Sequence, residues 1–351
     1  MNEKIWERLD LTQVNELVQK MTGHKQYGME DIAKELAAGN MDEAIGMMGA
    51  AFADVFLPGI RESKTLLISL LVLGIFSMLL HYTFGVVKSR QVAELANYFV
   101  YLILVLLLLD NFGILFATGQ EVLSLCKQFI SALAPAYCLS VSFSLGTASA
   151  AAHYEFVLLL LMGIDYILAG LLLPLTQSYV FLIIMDGLDE RHRMKEFASL
   201  LERLISWGIR ICLTVTVLIS GVQNTITAQI DGVQKTVFQK AVGAIPGIGD
   251  MSESVTDILL GSAGLIKNSI GGAAMLLLFL LILRPLWKVF CISITMKVAG
   301  ACVRMMGQNS LSETITKMGE SGILIMRIVM CAAIAFCISI AMTMIVLKGG
   351  S

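Results

Sequence analysis

The chain has 351 residues, is 57% hydrophobic and only 15% charged, and carries a mean hydropathy of +0.79. Soluble domains run near 25% charged, so this composition excludes a soluble enzyme and calls for an all-α, polytopic integral membrane protein. A net charge of −2 also excludes a nucleic-acid binder driven by counterion release.

Residues 1–64 are the least apolar part, with seven Lys/Arg against eleven Asp/Glu. Ile5, Leu9, Val14, Leu17 and Met21 predict a short amphipathic helix, and 41–56 another. So short a region buries little core, which makes it a small helical region and not an enzyme domain. No signal peptide is visible before the first apolar run, which begins at Thr65.

Five runs then have the length to cross about 30 Å of lipid: 65–85, 97–117, 156–185, 204–222 and 322–347. Two shorter runs, 270–283 and 287–303, are separated by Arg284-Pro285 and read as two tight spans or one re-entrant hairpin. The expectation is six or seven transmembrane helices, with amphipathic interfacial segments at 118–155, 186–203 and 223–268.

Basic residues set the expected orientation. Loops 86–96, 186–203 and 284–288 hold Lys88, Arg90, Arg191, Arg193, Lys195, Arg203, Arg284 and Lys288, eight in 34 residues. Loops 118–155 and 223–268 hold four basic residues in 84. Under the positive-inside rule the first set faces the cytoplasm and residues 1–64 lie outside. An outward N-terminus implies that this numbering starts after a removed signal peptide.

In 186–203, Met194, Phe197, Leu200, Leu201 and Leu204 share one helical face. This predicts an in-plane cytoplasmic helix that binds anionic lipid, with Arg191, Arg193 and Lys195 as a candidate partner interface. The stretch 236–272 predicts two amphipathic helices around a break at Pro246, Gly247 and Gly249, with Asp250 and Glu253 as a capping box. One reading is an interfacial pair covering headgroups. The other is a docking or pore-lining segment that includes Ser252, Thr256, Lys267 and Asn268. A faint parallel repeat links this stretch to Val122, Cys126, Phe129 and Leu133 before Pro135.

Motifs that would carry catalysis or metal binding do not occur: there is no HExxH, P-loop, GxSxG or Cys/His ligand cluster. Seven cysteines, odd in number and without a CxxC pair, make no disulfide framework and read as small packing residues. Intramembrane charge is the remaining signal. Asp165 lies a third of the way into its run, and Asp110 lies deep in another, beside Asn111. Asp165 is the first candidate for a polar interior or ion path. Arg210 and Arg327 lie near span ends, where snorkelling accounts for them.

Three segments resemble a known family: DGVQKT (231–236) running on through AIPGIGDMSESVTDILLGSAGLIKNSIGG, FISALAPAYCLSVSFSLGTASAAA (129–152), and LLLPLTQSYVFL (171–182). In order and spacing, roughly over 90–347, the chain is similar to stage III sporulation protein AE of endospore-forming bacteria. The resemblance implies a non-enzymatic membrane subunit, without cofactors, of the channel linking mother cell and forespore after engulfment. Its implied partners are an ATPase (protein AA), ring-forming subunits (AG and AH) and forespore protein Q. The implied location is the mother-cell-derived outer forespore membrane, and family members carry a signal peptide. The alternative from the residues alone is a self-contained secondary transporter.

Overall fold

A computed structural model describes residues 59, 63–80, 82–83, 90–145, 157, 159–189, 193–243 and 249–345. Within these, the side chains of 90–91, 93–94, 134–145, 222–267 and 342–345 are not described. The described residues are helical, with no strand among them. Six helices are long and apolar enough to cross a membrane. They are α1 (Ser63–Leu80), α2 (Arg90–Leu145), α3 (Leu159–Leu188), α4 (Lys195–Gly243), α5 (Gly249–Met305) and α6 (Asn309–Ile345).

The bundle is built around α6. Of its membrane-length window 61% is buried, against 28% for α1 and α4. Helices α5, α2, α3 and α4 each pack on α6, and in that order each packs on the next. The circle is weakest between α4 and α5, where Arg327, Met330 and Ile334 of α6 stay exposed. Helix α1 lies outside it against α5: a Cβ added at Gly74 would stand 2.8 Å from Val303 Cγ2, and one at Gly59 3.0 Å from the Trp287 ring.

Helices α5 and α6 form an antiparallel hairpin with a Schellman turn. The Gln308 N–H donates to Val303 O and the Gly307 N–H to Arg304 O. Gly307 takes φ 82°, the left-handed conformation such a turn requires. Along the seam, a Cβ at Gly319 would lie 2.8 Å from the Ser293 carbonyl oxygen. Helix association in lipid depends on such close packing and not on a hydrophobic drive between helices. Ser312 Oγ adds an interhelical hydrogen bond to Gly300 O at 2.8 Å.

Three expectations change here. Residues 270–303 are neither two spans nor a re-entrant pair: α5 runs unbroken through Pro285. Proline deletes one N–H and crowds the preceding turn, but membrane helices keep it where their packing holds the axis. The expected cytoplasmic loop at 284–288 is therefore the middle of a helix.

Nor does 186–203 form an in-plane helix. Lys195 opens α4, which continues to Gly243. Ala198 and Ile205 face the core, while Phe197, Leu200 and Leu204 lie on the outer surface. The same stripe suits a helix lying on a membrane or standing in one, so periodicity alone does not choose.

Likewise 118–145 continues α2, through Pro135, with Val122, Cys126, Phe129 and Leu133 buried. At 56 residues α2 is about 84 Å long, far beyond the bilayer core of about 30 Å. Pro174 lies within α3, which stays continuous around it. The helix widens to a π-turn at Leu168–Leu172, in which the Leu173 N–H reaches Leu168 O.

Candidate functional site

The open side of the circle leaves one strip of α6 uncovered, and that strip begins polar. Glu313, Lys317 and Glu320 recur at helical spacing in its first turns. From α4, Lys195 Nζ reaches Glu313 Oε1 at 2.8 Å; Lys317 lies 3.6 Å from the same oxygen. From α5, Lys297 Nζ stands 3.8 Å from Glu320 Oε1. Two walls thus reach the floor through lysines. The side chains of Glu313, Glu320 and Lys297 are each 38% exposed, so each pair adds at most about 1 kcal/mol. Farther along the strip come Arg327, Met330 and Ile334, exposed on the same side.

Next to this groove is a small pocket lined by Ile183, Asp186, Gly187, Ser310, Glu313, Thr314 and Lys317, with room for at most one water (about 10 Å³). Asp186 is buried at 4% exposure, and its Oδ1 accepts the Met194 N–H at 3.1 Å. Tyr101 Oη donates to Ile184 O at 2.8 Å, and Ser310 Oγ to Gly187 O at 3.5 Å. The start of α2, the α3–α4 connection and the α5–α6 hairpin turn therefore meet at one end of the bundle.

The candidate residues from the sequence do not converge. Lys195 joins the groove through Glu313 and is not a free docking cation. Arg193 pairs with Asp189 at 2.9 Å, a hydrogen bond and charge that hold its guanidinium above its ordinary pKa and fully ionised. Arg191, Pro246 and Gly247 lie outside the described residues. Gly249 is the first residue of α5; Ser252, Thr256 and Lys267 follow on its backbone, their side chains not described. Asn268 Oδ1 is buried without a hydrogen-bond partner among the described residues.

Asp165 Oδ1 is also buried without a partner, within electrostatic reach of Lys127 and Cys126 on α2. Asp110 is elsewhere, exposed on the outer face of α2. A carboxylate at mid-span facing lipid costs about 3 kcal/mol. Among the described residues no three His, Cys, Asp or Glu side chains gather as metal ligands.

The groove was the site that sequence reasoning missed. Its signal was present: acidic and basic residues at i, i+4 and i+7 just before an apolar run. It went unread because the span was expected to start at Gly322, which put Glu313–Glu320 outside the membrane-length helix. That helix starts at Asn309.

Comparison with known proteins decides the family. The model of the family described as stage III sporulation protein AE matches residues 27–347. The chain belongs to that family. The match begins well before residue 90, so the family pattern reaches into the N-terminal region where the sequence resemblance had not extended. Stage III sporulation protein AE of Bacillus subtilis (strain 168) is 25% identical over 301 residues, which cover 86% of this chain and 75% of that protein. No solved structure matches. A stage III sporulation AE protein with six membrane-length helices is a membrane protein with a role in sporulation.

Proposed function

We propose that this protein is a non-enzymatic subunit of the channel that joins mother cell and forespore after engulfment. The observation that carries the reading is the family match over 27–347. The bundle is consistent with it: six membrane-length helices leave a charged groove on one side of α6. The protein sits in the outer forespore membrane, made by the mother cell, with its N-terminus extracytoplasmic. Basic residues favour that orientation. Arg193, Arg304 and the α3–α4 connection lie at one end, and Lys127 lies toward the other. Its partners are the ATPase, the ring-forming subunits and forespore protein Q, met through the segments that continue α4 and α5 beyond the bundle.

Deleting the gene in the source organism tests this. Normal growth with small forespores and silent late forespore genes is the expected result, and normal spores would refute it. Cysteines at Ser252 and Thr256 should crosslink to partner subunits during sporulation; capture of none would remove that docking surface.

Asp165, whose buried Oδ1 has no hydrogen-bond partner among the described residues, favours a second reading, a self-contained secondary transporter. Solute uptake by the purified protein in vesicles, lost on Asp165→Asn, would favour it over the channel.

A further inference from the structure

Two surfaces of this bundle point in opposite directions and carry unmatched features. On one side lies the outer face of α2. Leu104, Leu108, Phe112 and Leu115 pack inward, which turns Ile103, Leu106, Asp110, Gly113 and Ala117 outward. Asp110 makes no ion pair among the described residues, although it stands in an apolar, lipid-deep face. One turn on, a Cβ at Gly113 would have nothing within 4 Å, so the backbone there is open to close approach by another helix. On the other side, across α6, lies the groove between α4 and α5, in which Lys195 and Lys317 share one oxygen of Glu313.

The two surfaces share a depth. Helices α2 and α6 run parallel and in step: a Cβ at Gly322 would lie 3.1 Å from Leu115 Cδ1, one at Gly119 2.7 Å from Ile325 Cγ2, and Phe129 meets Phe336 at 5.8 Å between ring centroids. Moving back along both helices from the Leu115–Gly322 contact brings Asp110 level with Lys317. Lys297 packs against Gly319 at that same level. Ala117 correspondingly lies level with Ile323 in the groove floor.

From this geometry we infer that the α2 face of one copy docks into the α4–α5 groove of the next, a head-to-tail association of this chain with itself. The occupant is a second copy because the docking carboxylate and the lysine-bearing groove lie at one membrane depth. Copies related by an axis along the membrane normal must meet at equal depth. Such a contact uses different surfaces on each partner, so it generates a ring when the rotation closes. The charge also fits at that level: three lysines, Lys195, Lys297 and Lys317, share two glutamates, Glu313 and Glu320, and Asp110 brings a third carboxylate. The inference stands on this geometry alone, so a negative sporulation phenotype would leave it intact.

Two differently tagged full-length copies, one with Ala117→Cys and the other with Ile323→Cys, should form a disulfide-linked dimer bearing both tags when membranes are oxidised. The linkage should require both introduced cysteines. The depth-mismatched pair Ile103→Cys and Ile334→Cys should stay unlinked, and Asp110→Leu should cut the crosslink severalfold where Asp110→Glu preserves it. Absence of the two-tag dimer, linkage of Ala117→Cys only to its own kind, or its linkage to a different membrane protein would overturn the inference. The unsubstituted protein gives an independent reading. A mass of several copies in lipid nanodiscs supports the association, and a single copy refutes it.

Discussion

The two halves of α6 show how one buried membrane helix can be held by different means. Its first half, from Asn309 to Ser321, is rich in serine, threonine, glycine and charge. It is secured by Ser312 Oγ on Gly300 O, by the seam at Gly319, and by Lys195 and Lys297 reaching Glu313 and Glu320. Its second half is apolar and secured by fit: Ile325, Ile328, Ala335 and Phe336 are buried, with Phe336 edge-on to Phe129. In lipid neither half gains from fleeing water, so directional bonds and dense packing carry the association. The polar half is adaptable, because its ion pairs are partly open to the groove. The apolar half is not.

Substitutions should separate the two. The largest effect is expected from Phe336→Ala, which removes a ring from a closed packing site and should destabilise the purified protein by about 4 kcal/mol in thermal unfolding. An unchanged midpoint would show that the apolar half is not the anchor. Gly319→Leu comes next, at about 3 kcal/mol, because the facing atom is a backbone oxygen that cannot swing aside. If it proves neutral, α5 and α6 do not pack as closely as described.

Glu313→Gln should cost only about 1 kcal/mol, since its lysine partners stay partly solvated, yet it should raise the reactivity of Lys195 toward amine reagents. Unaltered labelling would argue against the Lys195–Glu313 pair. The smallest effect belongs to Asp165→Asn. Its Oδ1 has no hydrogen-bond partner among the described residues, so stability should hold within about 0.5 kcal/mol. A larger loss would reveal a partner for this side chain. Lost function at unchanged stability would mark Asp165 as a working group.

Much of the fold was legible because lipid imposes a simple rule: an apolar stretch of sufficient length becomes a helix that satisfies its own backbone. The runs beginning at 65, 97, 156 and 204 each became a membrane-length helix, and the buried stripe Val122–Leu133 was visible in its spacing. Arg284-Pro285 misled, since charge and proline are punctuation in an isolated sequence. Packing on α6 keeps that helix continuous. The Phe197–Leu204 stripe was read correctly as amphipathic but given the wrong direction, because periodicity describes a face and not what the face meets.

The site divides along the same line. Composition and apolar run length determined by themselves that this is an all-helical membrane protein, and the resemblance of its segments pointed to the stage III sporulation AE family. They act locally or through chain order, and so survive in one dimension. Only the tertiary structure decided that Lys195, Lys297 and Glu313–Glu320 belong to one groove, that Asp110 and Asp165 are far apart, and that α4 and α5 leave a gap between them. Those facts depend on which helix neighbours which and at what depth, and that is fixed by contacts between different helices, from Lys297–Glu320, 23 positions apart, to Leu115–Gly322, 207 apart.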